Sequence, residues 1–258
     1  MLREVPLIAA EDTRVALDLL QTHGLSTRLV SCFEHNEDDR VPQLLEHLRG
    51  GADLALLSDA GTPLIRDPGY RVVRACLDAG IPIDVLPGPC AAVTALVGSG
   101  LPPDRFHFIG FLPVKAGERD AALAEVAGLR GSLVLYESPR RLVDLLSTIA
   151  TLWPARQVCV ARNLTKTWEQ WIRGSATECL TALGDEDRGE VTVVISGAPE
   201  AALDDHAVRG EITRLLREGV DPRSVRDRVA AWSGRPRREI YALVLAVRDG
   251  NGGREQPA

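Results

Sequence analysis

The chain has 258 residues, 45% of them hydrophobic and 26% charged, with a formal net charge of −6. This describes a globular protein with room for one large or two ordinary domains plus a small appendage, and it excludes a disordered chain. No apolar run is long enough to cross a bilayer, no signal-peptide core follows Met1, and the acidic balance argues against a generic nucleic-acid coat.

The five cysteines, Cys32, Cys76, Cys90, Cys159 and Cys179, are widely spaced with no C-x-x-C pair. They read as reduced, mostly buried thiols of a cytoplasmic protein, without a metal site. Of 30 basic residues only Lys115 and Lys166 are lysines. Basic charge gathers late: residues 204–258 hold 11 arginines against 9 acidic residues. Within 223–238, Arg223, Arg226, Arg228, Arg235, Arg237 and Arg238 stand against Asp227 alone. Such a cluster is either a solvated helical face or a surface for nucleic acid or an acidic partner.

Residues 5–10 form an apolar lead-in, and Asp12 or Thr13 caps a helix that Gly24 closes. A strand is expected at Leu29–Cys32, a solvated acidic loop at Glu34–Asp39, and a helix from Val41 to Arg49 stopped by Gly50-Gly51. Leu54–Leu57 then reads as a strand buried on both faces. It breaks into Ser58-Asp59-Ala60-Gly61-Thr62-Pro63 and closes with Asp67-Pro68-Gly69, where glycine suits a positive φ, before a helix from Tyr70 to Gly80. Another strand is expected at Ile81–Leu86. It leads through Pro87-Gly88-Pro89-Cys90-Ala91-Ala92 into a helix of small residues. Two successive strand–turn–helix junctions with small residues at the mouth favour a ligand cradled by main-chain groups. The dinucleotide and P-loop fingerprints are both missing.

Gly98–Asp104 is the best domain boundary, and a second α/β series follows. Strands are expected at 106–111, 132–136, 157–161, 168–173 and 191–196, with helices within 118–129, at 142–149 and around 176–183; the sheet should be mixed. Ala198–Ala207 reads as a linker. Helical patterns near 208–217, 222–232 and 237–247 end in a helix–turn–helix outline. The fold class is therefore α/β: an N-terminal α/β domain at 1–101, a C-terminal α/β domain with a mixed sheet at 104–199, a small helical appendage at 204–248, and a disordered tail at 249–258.

Ala10-Glu11-Asp12-Thr13-Arg14, Ser58–Pro63 with Asp67-Pro68-Gly69, Pro87–Ala92, Tyr136-Glu137-Ser138-Pro139-Arg140-Arg141 and Leu164-Thr165-Lys166-Thr167-Trp168-Glu169 occur in this order. Together they resemble the bacterial small-subunit ribosomal RNA (cytidine-2′-O)-methyltransferases of the tetrapyrrole methylase superfamily, over about residues 5–247. The resemblance implies two α/β domains with S-adenosylmethionine in the cleft between them, a homodimer, and small-subunit ribosomal RNA or the assembled subunit as partner. It implies that Asp59, Ala60, Gly61, Thr62 and Ile65 form one wall of the cofactor site, and Pro87, Gly88, Pro89, Cys90 and Ala91 the other. Tyr136 and Ala161 contribute from the second domain, and the Arg223–Arg238 cluster meets RNA.

The family also carries a strand, a Pro-Ile-Gly-Asn-Leu type loop and a helix before the position of Val5, which this chain begins too late to include. A start codon set too far downstream is the expectation, against truncation or an impaired protein. Asn163 stands where the family has Glu, and Arg188-Gly189-Glu190 replaces Lys-Gly-Glu.

Methyl transfer to a ribose hydroxyl needs in-line orientation, exclusion of water and a proton acceptor. The candidates are Lys166, Glu137 and Asp67, with Glu169 behind them. Each has a structural alternative: Asp67 bonding its own turn, Glu137 capping the next helix, Lys166 holding its hairpin. Two other functions stay open on the residues alone: a superfamily methyltransferase acting on a small tetrapyrrole or protein side chain, and a truncated, non-catalytic RNA-binding protein.

Overall fold

The computed structural model describes residues 1–184, 188–199, 205–233 and 235–251. They contain eight strands and ten helices, in two compact units, residues 1–197 and 198–258.

The first unit opens with β1 (Leu7–Ala10), α1 (Thr13–Thr22), β2 (Arg28–Ser31), α2 (Glu37–Arg49), β3 (Leu54–Leu57), α3 (Tyr70–Asp78) and α4 (Ala91–Ser99). Its three strands form a parallel sheet in the order β2-β1-β3, with Ile8 opposite Leu29 on one side and Ala55 on the other. Side chains alternate across a strand. Ile8 and Ala10 therefore pack with Ala16 and Leu20 of α1, while Leu7 and Ala9 pack with Leu44, Val72 and Cys76 of α2 and α3. Central β1 is buried throughout, as an unbroken apolar run in a parallel strand should be.

Two expectations fail here. β3 has only Ala55 fully buried, because it lies at the sheet's edge and is half-covered. Ile81–Leu86 forms no strand: among the described residues no strand pairs with it, and Val85 is 79% exposed. Apolar content does not make a strand without a ladder partner for its N–H and C=O groups. The helix expected from Val41 also starts earlier, at Glu37, taking in the acidic residues of the preceding loop.

The unit continues with β4 (Phe106–Phe111), α5 (Ala116–Val126), β5 (Ser132–Glu137), α6 (Pro139–Leu152), β6 (Gln157–Arg162), β7 (Gln170–Ser175), α7 (Ala176–Ala182) and β8 (Val191–Ile195). These strands form a mixed sheet, β4-β5-β8-β6-β7, in which only β4 and β5 pair in parallel. Leu133, Leu135, Val158, Val160, Val193 and Ile195 face a core built with α6 and α7. The alternate residues Val134, Cys159, Ala161 and Val194 face Ala92, Ala95 and Leu96 of α4. Helix α4 thus packs against the second sheet, on the face that carries Tyr136 and Ala161. β5 and β6 both run antiparallel to β8, and Glu137 and Arg162 both lie opposite Val191. Their carboxyl ends therefore emerge at the same end of the sheet.

The second unit holds α8 (Asp205–Arg217), α9 (Pro222–Ser233) and α10 (Arg237–Asn251). They share a core of Val208, Ile212, Leu215, Val225, Val229, Ile240 and Val244. Of the expected linker, residues 200–204 lie outside the described residues. Of the expected tail, α10 takes in 249–251, and 252–258 lie outside the described residues.

Candidate functional site

Loop 58–69 leaves the carboxyl end of β3. It contains Gly61 at φ 79°, Leu64 at 72°, Arg66 at 70° and Gly69 at 122°. Left-handed Leu and Arg are uncommon, cost on the order of 1–3 kcal/mol each, and persist where the surroundings over-determine them. Those surroundings are visible. The Asp59 N–H donates to the Glu11 carboxylate at 3.2 Å, and the Asp12 N–H donates to Asp59 Oδ1 at 3.0 Å. Arg66 lies over the Phe111 ring, 5.4 Å from its centroid, and its side chain passes so close to Gly110 (φ 73°) that a Cβ there would collide with it. The far end of the loop is held by Glu37, only 4% exposed, whose Oε1 accepts the N–H groups of Gly69, Arg71 and Val72 at 3.1, 2.7 and 3.2 Å. Gly69 is the N-cap of α3 and has no side chain to satisfy the first turn, so a carboxylate from α2 does so. Sequence reasoning gave Glu37 and Arg66 no part in the site and named Glu11 only within its motif. The one signal was a helix opened by glycine, which needs a cap from elsewhere.

The segment before α4 lies against this loop: the Thr62 hydroxyl donates to the Pro89 carbonyl at 2.9 Å. A Cβ on Gly61 would sit 3.3 Å from that same oxygen. Asp59, Ala60, Gly61, Ile65, Pro87, Gly88, Pro89 and Ala91 are exposed, while Thr62 and Cys90 are half-covered. The main-chain N–H groups of Ala60, Gly61, Thr62, Ala91 and Val93 have no hydrogen-bond partner among the described residues. The N–H of Ala92 does, donating to the Tyr136 phenolic oxygen at 3.2 Å. Tyr136 makes edge contacts with Phe108 and Phe111, so β4, β5 and the start of α4 meet at its ring. Ala161 is buried on the same sheet face. A separate open depression of about 260 Å³ lies between α1 and the end of β3, lined by Leu19, Leu57, Ser58 and Asp59 among others.

Two ionisable groups here are perturbed. Burial, then the nearby Glu11 and Asp59 carboxylates, raise the Asp67 carboxyl to about 6, with a Ser58 hydrogen bond opposing. Burial, then Cys90, push the Tyr136 phenol up to about 12, and Asp67 adds to this. Asp67 and Cys90 thus both lie within electrostatic reach of Tyr136.

The other two candidates sit differently. Glu137 is buried; its Oε1 accepts the N–H of Ser138 at 2.7 Å, and its Oε2 is ion-paired with Arg141 at 3.2 Å without hydrogen-bond geometry. Lys166 is exposed on the β6–β7 loop, where its ammonium pairs with Glu190 at 2.9 Å. That loop turns through left-handed Asn163 (φ 52°) and Thr165 (φ 65°). Asn163 donates its N–H to the Glu190 carbonyl and accepts the Glu190 N–H on Oδ1, against Gly189 at φ 102°. Asn is one of the few non-glycine residues that tolerate this backbone region.

In the helical unit, Arg226 and Arg237 both pair with Asp227, and Arg235 pairs with Asp205 and Glu239. Arg223, Arg228 and Arg238 are exposed. No group of three or more His, Cys, Asp and Glu residues with metal-holding geometry occurs among the described residues, nor does a helix long and apolar enough to cross a membrane. The five cysteines are free, and all but Cys90 are buried.

A parallel sheet and a mixed sheet, with loop 58–69 at the carboxyl end of β3 lying against the segment before α4, make a two-sheet α/β fold of the kind found in methylases. The family model of tetrapyrrole (corrin/porphyrin) methylases matches residues 1–180. The solved structure of diphthine synthase aligns over 76% of this chain and 81% of its own, with TM-score 0.59 at 14% identity. That of the methyltransferase CobJ aligns over 76% and 84%, with TM-score 0.54 at 21% identity. Among curated proteins, the ribosomal RNA small subunit methyltransferase I of Micromonospora olivasterospora is 43% identical over 98% of this chain and 82% of its own. The protein of the same name from Escherichia coli O157:H7 is 47% identical over 81% and 75%. The chain belongs to the tetrapyrrole methylases and, within them, to the ribosomal RNA small subunit methyltransferase I family.

Proposed function

We propose that this protein transfers a methyl group from S-adenosylmethionine to the ribose 2′-hydroxyl of a cytidine in small-subunit ribosomal RNA. The observation that carries the reading, beside family membership, is the set of unbonded main-chain N–H groups at Ala60–Thr62 and in the first turn of α4, facing solvent among residues too small to block approach. Such a cradle fits the carboxylate and ring nitrogens of the cofactor, which are recognised by hydrogen-bond donors. Asp59, Ala60, Gly61, Thr62 and Ile65 would hold it from one side, Pro87–Ala91 from the other, and Tyr136 and Ala161 from the second sheet. Bound S-adenosylmethionine supplies an electrophilic methyl group.

This chain's own residues then have to orient the ribose and take its proton. Asp67 is the group we assign as proton acceptor, because its carboxyl is poised near neutrality rather than in the ordinary carboxylate range. Tyr136, held protonated, fixes the start of α4. Lys166 serves as an orienting cation beside Glu190, and Glu137 stabilises the β5–α6 turn. We take residues 1–101 and 104–199 as the two domains flanking the cofactor, residues 204–248 as an RNA-binding appendage acting through Arg223, Arg226, Arg228, Arg235, Arg237 and Arg238, and the protein as a cytoplasmic homodimer.

The test is a titration with S-adenosylmethionine followed by transfer of tritiated methyl to small subunits or their RNA. Cofactor binding with transfer to RNA is the expected result. Binding without transfer to RNA, together with transfer to a tetrapyrrole or a protein, would refute the substrate.

A further inference from the structure

Two tryptophans stand three residues apart on the β6–β7 hairpin, and the fold uses only one of them. Trp171 donates its ring N–H to Glu169 at 2.8 Å, lies 5.0 Å from the Arg173 guanidinium, and packs so closely on Gly98 that a Cβ there would overlap the indole. Trp168 is 76% exposed. An exposed indole of that size gains nothing from burial in this chain.

The loop that displays it is nonetheless tightly built. Glu169 accepts the Thr165 N–H at 2.7 Å as well as the Trp171 ring N–H, and Lys166 donates its own N–H to the Asn163 carbonyl at 2.9 Å. Asn163 and Thr165 hold left-handed backbone, and the Lys166–Glu190 pair ties the loop to the segment before β8. Backbone strain, two ties through Glu169 and an ion pair fix a segment whose largest side chain faces solvent. Through the register of β5, β8 and β6, that segment rises from the same end of the sheet as Tyr136.

We infer that Trp168 is a stacking platform for an unpaired RNA base, displayed by the rigid loop two positions after Lys166 and at the end of the sheet that carries Tyr136. The inference rests on the RNA substrate proposed above. An exposed aromatic face on the same short loop as a cation is the chemistry that takes up an unstacked base and its backbone charge. It also answers a need of the reaction, since a 2′-hydroxyl reaches an in-line geometry only if its nucleotide is held away from its neighbours.

The experiment compares wild type, Trp168→Ala and Trp168→Phe. It measures binding of a labelled single-stranded RNA oligonucleotide, KM and kcat on small subunits, S-adenosylmethionine affinity and the thermal midpoint. Expected for Trp168→Ala is RNA binding weakened about ten-fold or more and a matching rise in KM, with cofactor affinity and midpoint unchanged. Trp168→Phe should restore most of the loss. Unchanged RNA binding in Trp168→Ala overturns the inference. So does a loss that Phe fails to rescue, a lowered midpoint, or a shift in oligomeric state on sedimentation, which would make the indole a contact between copies. Failure of the substrate reading itself appears separately, as wild-type protein that transfers no methyl to small subunits.

Discussion

The Tyr136 phenolic oxygen accepts the N–H of Ala92 at 3.2 Å, tying the end of β5 to the first turn of α4. That bond joins the two sheets' contributions at one point: α4 follows the 87–90 segment, and Tyr136 comes from the second sheet. Removing the hydroxyl frees the turn without disturbing the ring's contacts with Phe108 and Phe111. Tyr136→Phe should therefore cost the fold roughly 0.5–1.5 kcal/mol, the net worth of a neutral hydrogen bond, lower the thermal midpoint accordingly, and weaken S-adenosylmethionine binding by no more than that. Thermal unfolding and calorimetric titration check this.

Asp67 gives a pH signature. Its carboxyl titrates at about 6, raised by burial and by neighbouring carboxylates. As the proposed proton acceptor it would work only when ionised, so single-turnover transfer should climb through about pH 6 and level off above it. Asp67→Asn should abolish that limb and lower the rate roughly 10²–10⁴-fold. The stability effect runs the other way. A carboxyl raised above its unfolded value favours the fold while protonated, and that contribution is lost as pH rises from the ordinary carboxylate range through about 6. At pH 8 Asp67→Asn should accordingly melt higher than wild type, and at pH 4 the two should converge.

Local pattern made most of the elements legible, and distant partners set what it missed. Strand β3 is bounded by Leu54 and Leu57, and β4 by Phe106 and Phe111, as the apolar runs imply, because a strand's ends are marked by its neighbours in sequence. Ile81–Leu86 has the same apolar look and no ladder; pairing is a property of another strand, invisible in the segment itself. Glu37 looked like one more loop acid, and only the fold brings it to the start of α3, 32 to 35 positions along the chain. At the proposed site, the small residues at 60–62 and 87–91 are legible as local composition, while the Thr62–Pro89 contact between the two segments is not. Whether Lys166, Glu137 and Asp67 are exposed, ion-paired or buried beside other carboxylates is not legible either, because burial and neighbouring charge are set by the fold.

Glu37 supports a prediction about stability. Three N–H groups at the start of α3 bond one carboxylate oxygen in a buried place, and Glu37→Ala leaves them unsatisfied. We expect a loss of about 1–3 kcal/mol in urea unfolding. Glu37→Gln, which keeps the accepting oxygen and loses the charge, should recover part of it. Because Gly69 ends the 58–69 loop, the alanine variant should also bind S-adenosylmethionine more weakly; equal affinity would show that the loop keeps its shape without this cap.

The helical unit allows a prediction in which charge count and structural role separate. Arg228 and Arg238 are exposed and have no ion pair among the described residues, whereas Arg235 is paired with Asp205 and Glu239. An arginine that neutralises an RNA phosphate releases condensed counterions, which gives a slope of about −0.7 to −0.9 per contact in log affinity against log salt. Arg228→Gln combined with Arg238→Gln should flatten that slope by roughly 1.4–1.8 and weaken RNA binding alike for different sequences, since phosphate contacts position without specifying. Methyl donor binding should not change. Arg235→Gln should act mainly on the fold, by about 0–1 kcal/mol for largely exposed partners, and alter the slope less. Filter binding across a salt series distinguishes these outcomes. An unchanged slope in the double variant would show that RNA does not meet this surface, and a slope altered most by Arg235→Gln would show that its ion pairs open on binding.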